Sequence, residues 1–390
     1  MKKQEQILIQ TVLAAVTDTT APEIDDFEAM VSLSRYHLVH NIIAETLLRE
    51  ESLPENIRTE LINELTSLII KDANQESETV SLMAFFEENK IPVILLKGWY
   101  LKKLYPRTDL RAMADTDIFI RQIDEKIVHE MFKSRDYEIV VFGEKKDNIY
   151  RKKPLLIFEI HKNLFMFEDD WNDLFNNENS SMYIWDRTVE IEGYEYVYRM
   201  DDELFFTYMI AHIAKHLLDD GGIGLKSILD VWLFLKGNSE FDLNKAYDDL
   251  EKLELKEFSK NVILLSEYWF SRNNDVDEKV KMLGNHILDC GAYGNSRVMV
   301  ATKDEILLSE NPSTFKYLFY RAFPKFESMK TRFPQLNSKK WLLPFLYVKR
   351  LWYSLIYRRK EVKGEINSAK NIDLTKAKEI QRLYKDIGLR

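Results

Sequence analysis

"LLKGWYLKKLYPRTDLRAMADTDIFI", residues 95–120, is the stretch that decides the fold. An apolar run ends at Lys97–Gly98, a short basic amphipathic segment follows and closes at Pro106, and Asp115 and Asp117 then lead into a second apolar run. This order predicts a strand, a short helix and another strand. In an extended chain, residues two apart point to the same face, so the two carboxylates need a shared cationic partner.

Outward from this stretch, the pattern predicts an α+β fold with a small mixed β-sheet. Residues 1–90 repeat apolar side chains at helical spacing, which predicts four or five helices, with 57–73 and 78–91 as separate ones. Residues 91–200 contain short apolar runs separated by loops, which are typical of strands. Residues 201–390 return to helical spacing and end in a basic tail. We therefore expect three regions, a sheet core flanked by N- and C-terminal helical regions.

Composition restricts the class of protein. The chain is 45% hydrophobic, 12% aromatic and 31% charged, as in globular proteins with an ample core. Its single cysteine, Cys290, excludes a disulfide framework and a thiolate metal cluster, and favours a reducing, cytoplasmic location. No apolar run reaches the roughly 18 residues of a membrane span. The aromatic segment 341–357 is expected to be a packed helix, with a membrane-surface helix as the alternative.

Charge is unevenly distributed along the chain. The net charge is −9, yet Lys and Arg clearly outnumber Asp and Glu between residues 316 and 390. A basic tail on an acidic body either binds a polyanion or packs against that body. The sequence leaves both interpretations open.

A third acid strengthens the interpretation of Asp115 and Asp117. In "LLIFEIHKNLF" (155–165), Ile157, Glu159 and His161 share one face of a predicted strand, and alternate residues share the other. If this strand lies beside the one that begins at Asp117, three carboxylates converge, and Mg²⁺ or Mn²⁺ suits such oxygen ligands. The alternatives are an exposed Asp-x-Asp turn and a half-exposed strand with a polar outer face.

Lys97–Gly98 lies where a strand turns into a helix, which suggests an anion-binding turn. Glycine allows close approach of the backbone to an anion, and a helix N-terminus presents free N–H groups. Together with carboxylates nearby that could hold a metal, this turn predicts a site that binds a triphosphate through two metal ions.

As a set, these motifs resemble the uncharacterised nucleotidyltransferase family of the DNA polymerase β-like superfamily. The resemblance covers about residues 30–350 and rests on Leu96-Lys97-Gly98, Leu104-Tyr105-Pro106, Arg111, Asp115-x-Asp117, Glu159-Ile160-His161, Ala211-His212, Lys215-His216 and Leu229-Asp230-Val231. The usual Gly-Ser turn of the superfamily is replaced here by Lys-Gly.

The resemblance implies transfer of a nucleoside monophosphate from a nucleoside triphosphate such as ATP to a hydroxyl-bearing acceptor, with release of pyrophosphate. Asp115, Asp117 and Glu159 would hold the metal ions, and Glu159 is also the candidate to take the acceptor proton. Lys97 and Gly98 would bind the phosphates, and Arg111 would neutralise charge beside the acids.

The remaining site candidates lie on a predicted helix and on the acidic strand. His212 and His216 are four residues apart and so face the same way. With Lys215 they line the nucleotide pocket, bind zinc, or are ordinary core histidines. His161 either orients Glu159 or the substrate, or only packs. Asp230 is expected to pair with Lys226, one helical turn earlier.

Several functional hypotheses remain open at this point. The first is an active nucleotidyltransferase; the others are a non-catalytic nucleotide-binding module of the toxin–antitoxin type, an RNA-directed nucleotidyltransferase that uses the basic tail, and a phosphotransferase with the same metal cluster. The acceptor (small molecule, protein or RNA), the preferred base and the oligomeric state are not given by the sequence.

Overall fold

The structure is a computed structural model of the 390-residue chain. It describes residues 1–143, 147–154, 156–165, 169–271, 275–292, 294, 319–320, 322–326, 329–330, 333–357, 359, 362–363 and 374–389. Part of the predicted basic tail, and the segment 295–318 that precedes it, lie outside the described residues.

The N-terminal region consists of four helices, as predicted: α1 (Lys3–Thr17), α2 (Phe27–Tyr36), α3 (His40–Leu48) and α4 (Glu55–Glu88). Asp26 caps α2, and its side chain accepts a hydrogen bond from the backbone N–H of Ala29. The prediction of two helices between residues 57 and 91 is wrong, because α4 is one continuous helix of 34 residues. No Gly or Pro interrupts it, and polar side chains of its middle are bonded to other elements, Lys71 to the Met113 oxygen and Asp72 to Lys102.

The sheet has seven strands, and their order in the sheet is β3-β4-β5-β2-β1-β7-β6. In chain order these elements are β1 (Val93–Leu95), α5 (Lys97–Leu101), β2 (Thr116–Ile120), α6 (Glu125–Ser134), β3 (Glu138–Val141), β4 (Asn148–Lys152), β5 (Leu156–His161), α7 (Asp169–Asn176), β6 (Thr188–Glu190) and β7 (Val197–Met200). Strand β2 pairs in parallel with β5 and β1 with β7, while the other neighbours are antiparallel. The predicted α+β class with a mixed sheet is confirmed.

Alternation along the central strands separates two faces of the sheet. One face, with Ile118 and Ile160 at its centre, packs on the C-terminal half of α4 and on α6. The other face carries Phe119 together with the polar residues of β2 and β5, and packs toward the C-terminal helices. The buried and half-buried residues of β5 alternate as the sequence predicts.

The C-terminal region contains α8 (Asp202–Asp219), α9 (Leu225–Gly237), α10 (Leu243–Lys252), α11 (Lys256–Phe270), α12 (Glu278–Cys290), α13 (Leu343–Tyr357) and α14 (Leu374–Asp386). The largest hydrophobic cluster contains side chains of α1, α3, α8, α9, α11, α12 and α14. The two helical regions therefore share one core, which encloses the polar face of the sheet. In the described part of the chain, no helix combines the length and the apolar character that crossing a membrane requires.

Among the described residues, helix α13 packs through one side. Leu346 is buried in a small separate cluster with Met329 and Leu336. Val348 and Trp352 of the same helix are each 66% exposed. The described contacts of this predicted packed helix are therefore with its own small cluster rather than with the main core.

Candidate functional site

The pairing of β2 with β5 brings two of the predicted acids together. The strands run parallel, and Asp117 is directly opposite Glu159. Both side chains are on the sheet face that is turned toward the C-terminal helices, because Ile118 and Ile160 occupy the opposite face. The condition set by the sequence, that the two acidic strands be neighbours, is met.

His161 connects the acid pair to an aspartate that sequence reasoning missed. Its Nε2 is 2.9 Å from Asp117 Oδ1, and its Nδ1 is 3.0 Å from Asp147 Oδ1. Burial alone lowers the pKa of His161, but the hydrogen bonds to the two carboxylates outweigh it and raise that pKa to about 10. His161 is thus an imidazolium that donates from both nitrogens, so in this state it positions Asp117.

The signal for Asp147 was present in the sequence. It directly precedes β4, and the β4–β5 register pairs Asn148 with Ile160. The next step of that antiparallel register places Asp147 opposite His161. A hairpin register derived from the sequence would therefore have identified it.

The carboxylates of the cluster repel one another. Burial and then repulsion by Asp117 raise the pKa of Asp115, while burial and repulsion by Asp115 and Asp117 raise the pKa of Glu159 to about 7. Burial also opposes the charged form of Asp117, but the hydrogen bond from His161 and the charge of Lys97 hold its pKa below the usual range. Within the described residues, Asp117, Glu159 and His161 are the group whose potential ligand atoms lie within 4.8 Å of one another. Neighbouring carboxylate oxygens that repel one another fit a hard divalent cation.

Lys97 lies between the acids and the histidines of α8. Its Nζ contacts Nε2 of His212, and His212 Nε2 is in turn 3.3 Å from Nε2 of His216. Burial lowers the pKa of Lys97, and the nearby Asp117 and Asp115 counteract this. Burial, followed by the charge of Lys97, holds the pKa of His212 well below its usual value. A neutral His212 ring can accept a hydrogen bond from Lys97 Nζ.

The two histidines do not form a metal site with any described residue. His216 contacts Asp220 through Nδ1, and within the described ranges no third ligand completes a group around the pair. Of the three interpretations, the structure disfavours zinc. Lys215 is half-buried on the same helix, and its charge further lowers the pKa values of Lys97 and His212.

The main partner of Arg111 is Asp230 rather than the acids of the cluster. Its guanidinium forms a bidentate pair with Asp230, with Nε–Oδ1 at 2.8 Å and Nη2–Oδ2 at 2.9 Å. The Tyr105 hydroxyl donates to the same carboxylate at 2.8 Å, and the network is buried. The expected Asp230–Lys226 pair is therefore wrong: Lys226 Nζ instead donates to the backbone oxygen of Ala112 at 3.2 Å.

Gly98 has a packing reason as well as the predicted one. A Cβ at this position would lie 2.6 Å from the Met113 sulfur, so glycine lets the β1–α5 turn approach the loop that precedes Asp115 without displacing the Met113 side chain. The predicted contact of the Gly98 backbone with phosphate stays a prediction.

The loop that carries Asp115 is held by side chains from distant helices. Lys71 of α4 donates to the Met113 oxygen at 2.7 Å, Asn41 of α3 donates to the Leu110 oxygen at 2.7 Å, and Lys226 of α9 binds the oxygen of Ala112. These positioning residues were not identified from the sequence, because nothing local marks a lysine or an asparagine as a backbone anchor.

The comparisons with known proteins agree with this geometry. A family model described as "Uncharacterised nucleotidyltransferase" matches residues 24–271. The chain belongs to this nucleotidyltransferase family. The match includes the acids, Lys97 and the α8 histidines, but ends earlier than the expected limit near residue 350. Neither the comparison with curated proteins nor the comparison with solved structures gives a match.

Proposed function

We propose that this member of the nucleotidyltransferase family transfers a nucleoside monophosphate from a nucleoside triphosphate, such as ATP, to a hydroxyl-bearing acceptor and releases pyrophosphate. The observation that carries the proposal is the direct opposition of Asp117 and Glu159 on paired strands. Asp115 is close enough to perturb both of them electrostatically. Carboxylate oxygens of Asp117 and Glu159 in one ligand group, with Asp115 near enough to join them, are the ligand type of a two-metal site.

Asp115, Asp117 and Glu159 are the residues that would hold Mg²⁺ or Mn²⁺. When bound, the divalent ions neutralise charge on the phosphates and activate the acceptor hydroxyl for attack. His161 fixes the Asp117 carboxylate by donating to Oδ1, and Asp147 fixes His161 from the other side. Asp117 is therefore oriented before any ligand binds, which lowers the cost of assembling the site.

Side chains of the site would accept the proton and bind the phosphates during the transfer. The acceptor oxygen forms a bond to the α-phosphorus while the bond from that phosphorus to the bridging oxygen breaks, and pyrophosphate leaves. The acceptor proton moves to a carboxylate of the cluster. Glu159 is the candidate by position, because its side chain is 27% exposed and that of Asp117 only 11%. Lys97, at the boundary of the acids and α8, would bind a phosphate oxygen.

Metal-dependent nucleotide binding tests the site. Isothermal titration of ATP in the presence of MnCl₂ is expected to show binding to the wild-type chain and none to Asp115→Asn/Asp117→Asn. A matched control is Asp248→Asn/Glu240→Gln, which removes the same charge from exposed positions. If the acid variant binds ATP as the control does, and still requires the metal, the assignment is wrong.

Pyrophosphate release separates an enzyme from a nucleotide-binding module. With ATP, MgCl₂ and cell extract as the source of acceptors, we expect release that the acid variant lacks. Binding without release would favour the non-catalytic alternative. For an RNA acceptor, affinity should fall steeply with salt as the basic residues release counterions from phosphates, and a flat salt response would contradict that alternative.

A further inference from the structure

Helix α13 carries a row of exposed apolar side chains that has no role at the nucleotidyltransferase site. Phe345, Val348 and Trp352 are each 66% exposed, and Ile356 is 46% exposed. Monomeric proteins rarely expose several large apolar side chains together, and a patch of this kind marks an interaction site. The helix also lies outside residues 24–271, the part of the chain that the family model matches. The apolar row therefore needs an explanation of its own.

Helical spacing gathers these side chains on one side of α13. Successive members of the row are three or four residues apart, and residues at those spacings are neighbours on the surface of a helix. Positions between them face elsewhere. Leu346 is buried in the cluster with Met329 and Leu336, and Arg350 donates from Nη1 to the oxygen of Ala322 at 2.9 Å. These contacts hold one side of the helix, and the apolar row is at the surface.

Exposed basic residues lie on α13 and next to it. Between residues 339 and 363 the sequence contains eight Lys or Arg residues and one acid. Lys339 and Lys340 are exposed just before the helix, and Lys349 is exposed beside the apolar row. An exposed row of aromatic and aliphatic side chains with basic residues beside it is the pattern of a helix that lies on an anionic membrane. The apolar side chains enter the acyl boundary, and the basic ones contact the headgroups.

Other occupants explain this combination less well. A second copy of the same face would bring basic residues against basic residues, which costs free energy. A nucleic acid would attract the charges, but its phosphates give no reason for the exposure of Val348 and Ile356. A protein groove that encloses a helix would need the side of α13 that the small cluster holds. A bilayer needs only the exposed side.

We propose that α13 docks the protein on the surface of an anionic lipid membrane. Phe345, Val348, Trp352 and Ile356 enter the interface, and the exposed lysines contact the anionic headgroups. The helix lies along the surface and does not cross it, because 15 residues extend about 22 Å while the hydrocarbon core is about 30 Å thick. The proposal is independent of the proposed function, since it uses no residue of the candidate site.

Co-sedimentation of the full chain with vesicles tests the proposal. The vesicles consist of phosphatidylcholine alone, or of phosphatidylcholine and phosphatidylglycerol in equal parts. The wild-type chain should bind the anionic vesicles, bind the neutral ones more weakly, and lose affinity for the anionic ones as salt is raised. Phe345→Ser/Trp352→Ser should weaken binding to the anionic vesicles at least about tenfold, because two apolar side chains no longer enter the interface.

The contribution of charge is measured separately. Lys340→Gln/Lys349→Gln should weaken binding to the anionic vesicles about tenfold or more, since each lysine near an anionic surface adds to the attraction. The same variant should bind neutral vesicles like the wild type, because those vesicles carry no net charge.

Matched controls make the same changes at exposed positions away from α13. Ile123→Ser/Ile127→Ser removes two exposed apolar side chains near the start of α6, and Lys126→Gln/Lys133→Gln removes two exposed charges from that helix. Both should bind vesicles like the wild type. Urea denaturation establishes that each variant is folded, and Ile356→Ser provides an independent change in the apolar row if the double variant does not fold.

Three outcomes would overturn the proposal. The first is that the wild-type chain binds neither kind of vesicle. The second is that only the lysine variant loses binding, in which case the segment is a general polyanion site. The third is that the wild-type chain self-associates in sedimentation, that Phe345→Ser/Trp352→Ser abolishes this, and that vesicles do not compete, so that the face joins two copies. Metal-dependent ATP binding would be intact in each case, and the proposed function would stand.

Discussion

Two groups of buried carboxylates lie on either side of Lys97, and they differ in how their charge is balanced. Asp230 has a bidentate arginine and a tyrosine hydroxyl, so its charge is fully matched. Asp117 accepts a hydrogen bond from His161 and feels the charges of Lys97 and Arg111, but burial and repulsion by Asp115 and Asp117 still raise the pKa of Glu159. Asp230 is thus a balanced group, and the mutually repelling acids form an unbalanced one. The comparison shows that burial of an acid does not by itself indicate function, and that repulsion between neighbouring acids is the better sign of a ligand.

The largest expected effect is the loss of stability when Asp230, the balanced carboxylate, is removed. Asp230→Ala leaves the Arg111 guanidinium buried without its partner, which should lower the free energy of unfolding by about 3–5 kcal/mol in urea denaturation. Asp230→Asn retains an acceptor for the Tyr105 hydroxyl and should cost less. Asp248→Ala, at an exposed position, is the control. A loss below about 1 kcal/mol for Asp230→Ala would mean that the network does not stabilise the fold.

The next effect concerns His37, a buried base with no described partner. The unfolded chain takes up a proton at this residue near pH 6.5, but the folded chain does so only near pH 4, although Glu5 partly favours the charged form. The unfolded state therefore holds more protons in between, and stability is lost as the pH falls from 6.5 to 4. The loss should reach about 3 kcal/mol, since one pKa unit is about 1.4 kcal/mol. Urea denaturation at several pH values should show a smaller loss for His37→Phe, and equal slopes for both chains would contradict the prediction.

Substitution in the unbalanced group should affect activity more than stability, the opposite of what is expected for Asp230. Asp117→Asn should reduce pyrophosphate release by at least on the order of 100-fold, because even the outer partners of a metal site are worth 10- to 100-fold. Its stability should fall by about 2 kcal/mol, less than for Asp230→Ala, because the depressed pKa of Asp117 means that its charged form is favoured in the folded chain. Asp248→Asn is the control for the loss of charge. A variant that unfolds as readily as Asp230→Ala would show that Asp117 is structural.

The smallest expected effect is at the loop that precedes Asp115. Lys71→Met removes the bond to the Met113 oxygen and should lower the free energy of unfolding by about 1 kcal/mol. Metal-dependent ATP binding should weaken by roughly two- to fivefold, since Asp115 is less firmly placed. Lys126→Met, on the exposed surface of α6, should change neither quantity. If affinity is unaffected by Lys71→Met, the loop does not depend on α4 for its position.

Local patterns predicted most of the fold. Alternation in "LLIFEIHKNLF" gave the two faces of β5, and the strand–helix–strand pattern of residues 92–120 gave β1, α5 and β2. The continuous helix α4 was missed because its middle lacks an apolar stripe, while the absence of Gly and Pro lets the helix continue through it.

The candidate site was predictable where strand register decides it. The proximity of Asp117 and Glu159 was predicted from the alternation of strand side chains and from the assumption that the two strands are neighbours. The partners of Arg111, Lys71 and Lys226 were not predictable, because each contact depends on how helices distant in the sequence pack together. Any nearby carboxylate or carbonyl could have accepted a hydrogen bond from the same side chains. The roles assigned to Lys97, His212 and His216 in nucleotide binding stay predictions.

Helix α4 gives the molecule a mechanical property. At 34 residues it is a rod of about 51 Å. Along its length, Lys71 binds the loop of Asp115, Glu78 binds Tyr137 and Lys152 near the outer strands, and Glu87 binds the backbone N–H of Tyr196 before β7. One continuous helix is thus hydrogen-bonded to the loop that precedes Asp115 and to strands on both sides of the sheet. Any displacement of this helix would therefore move that loop and both sides of the sheet together.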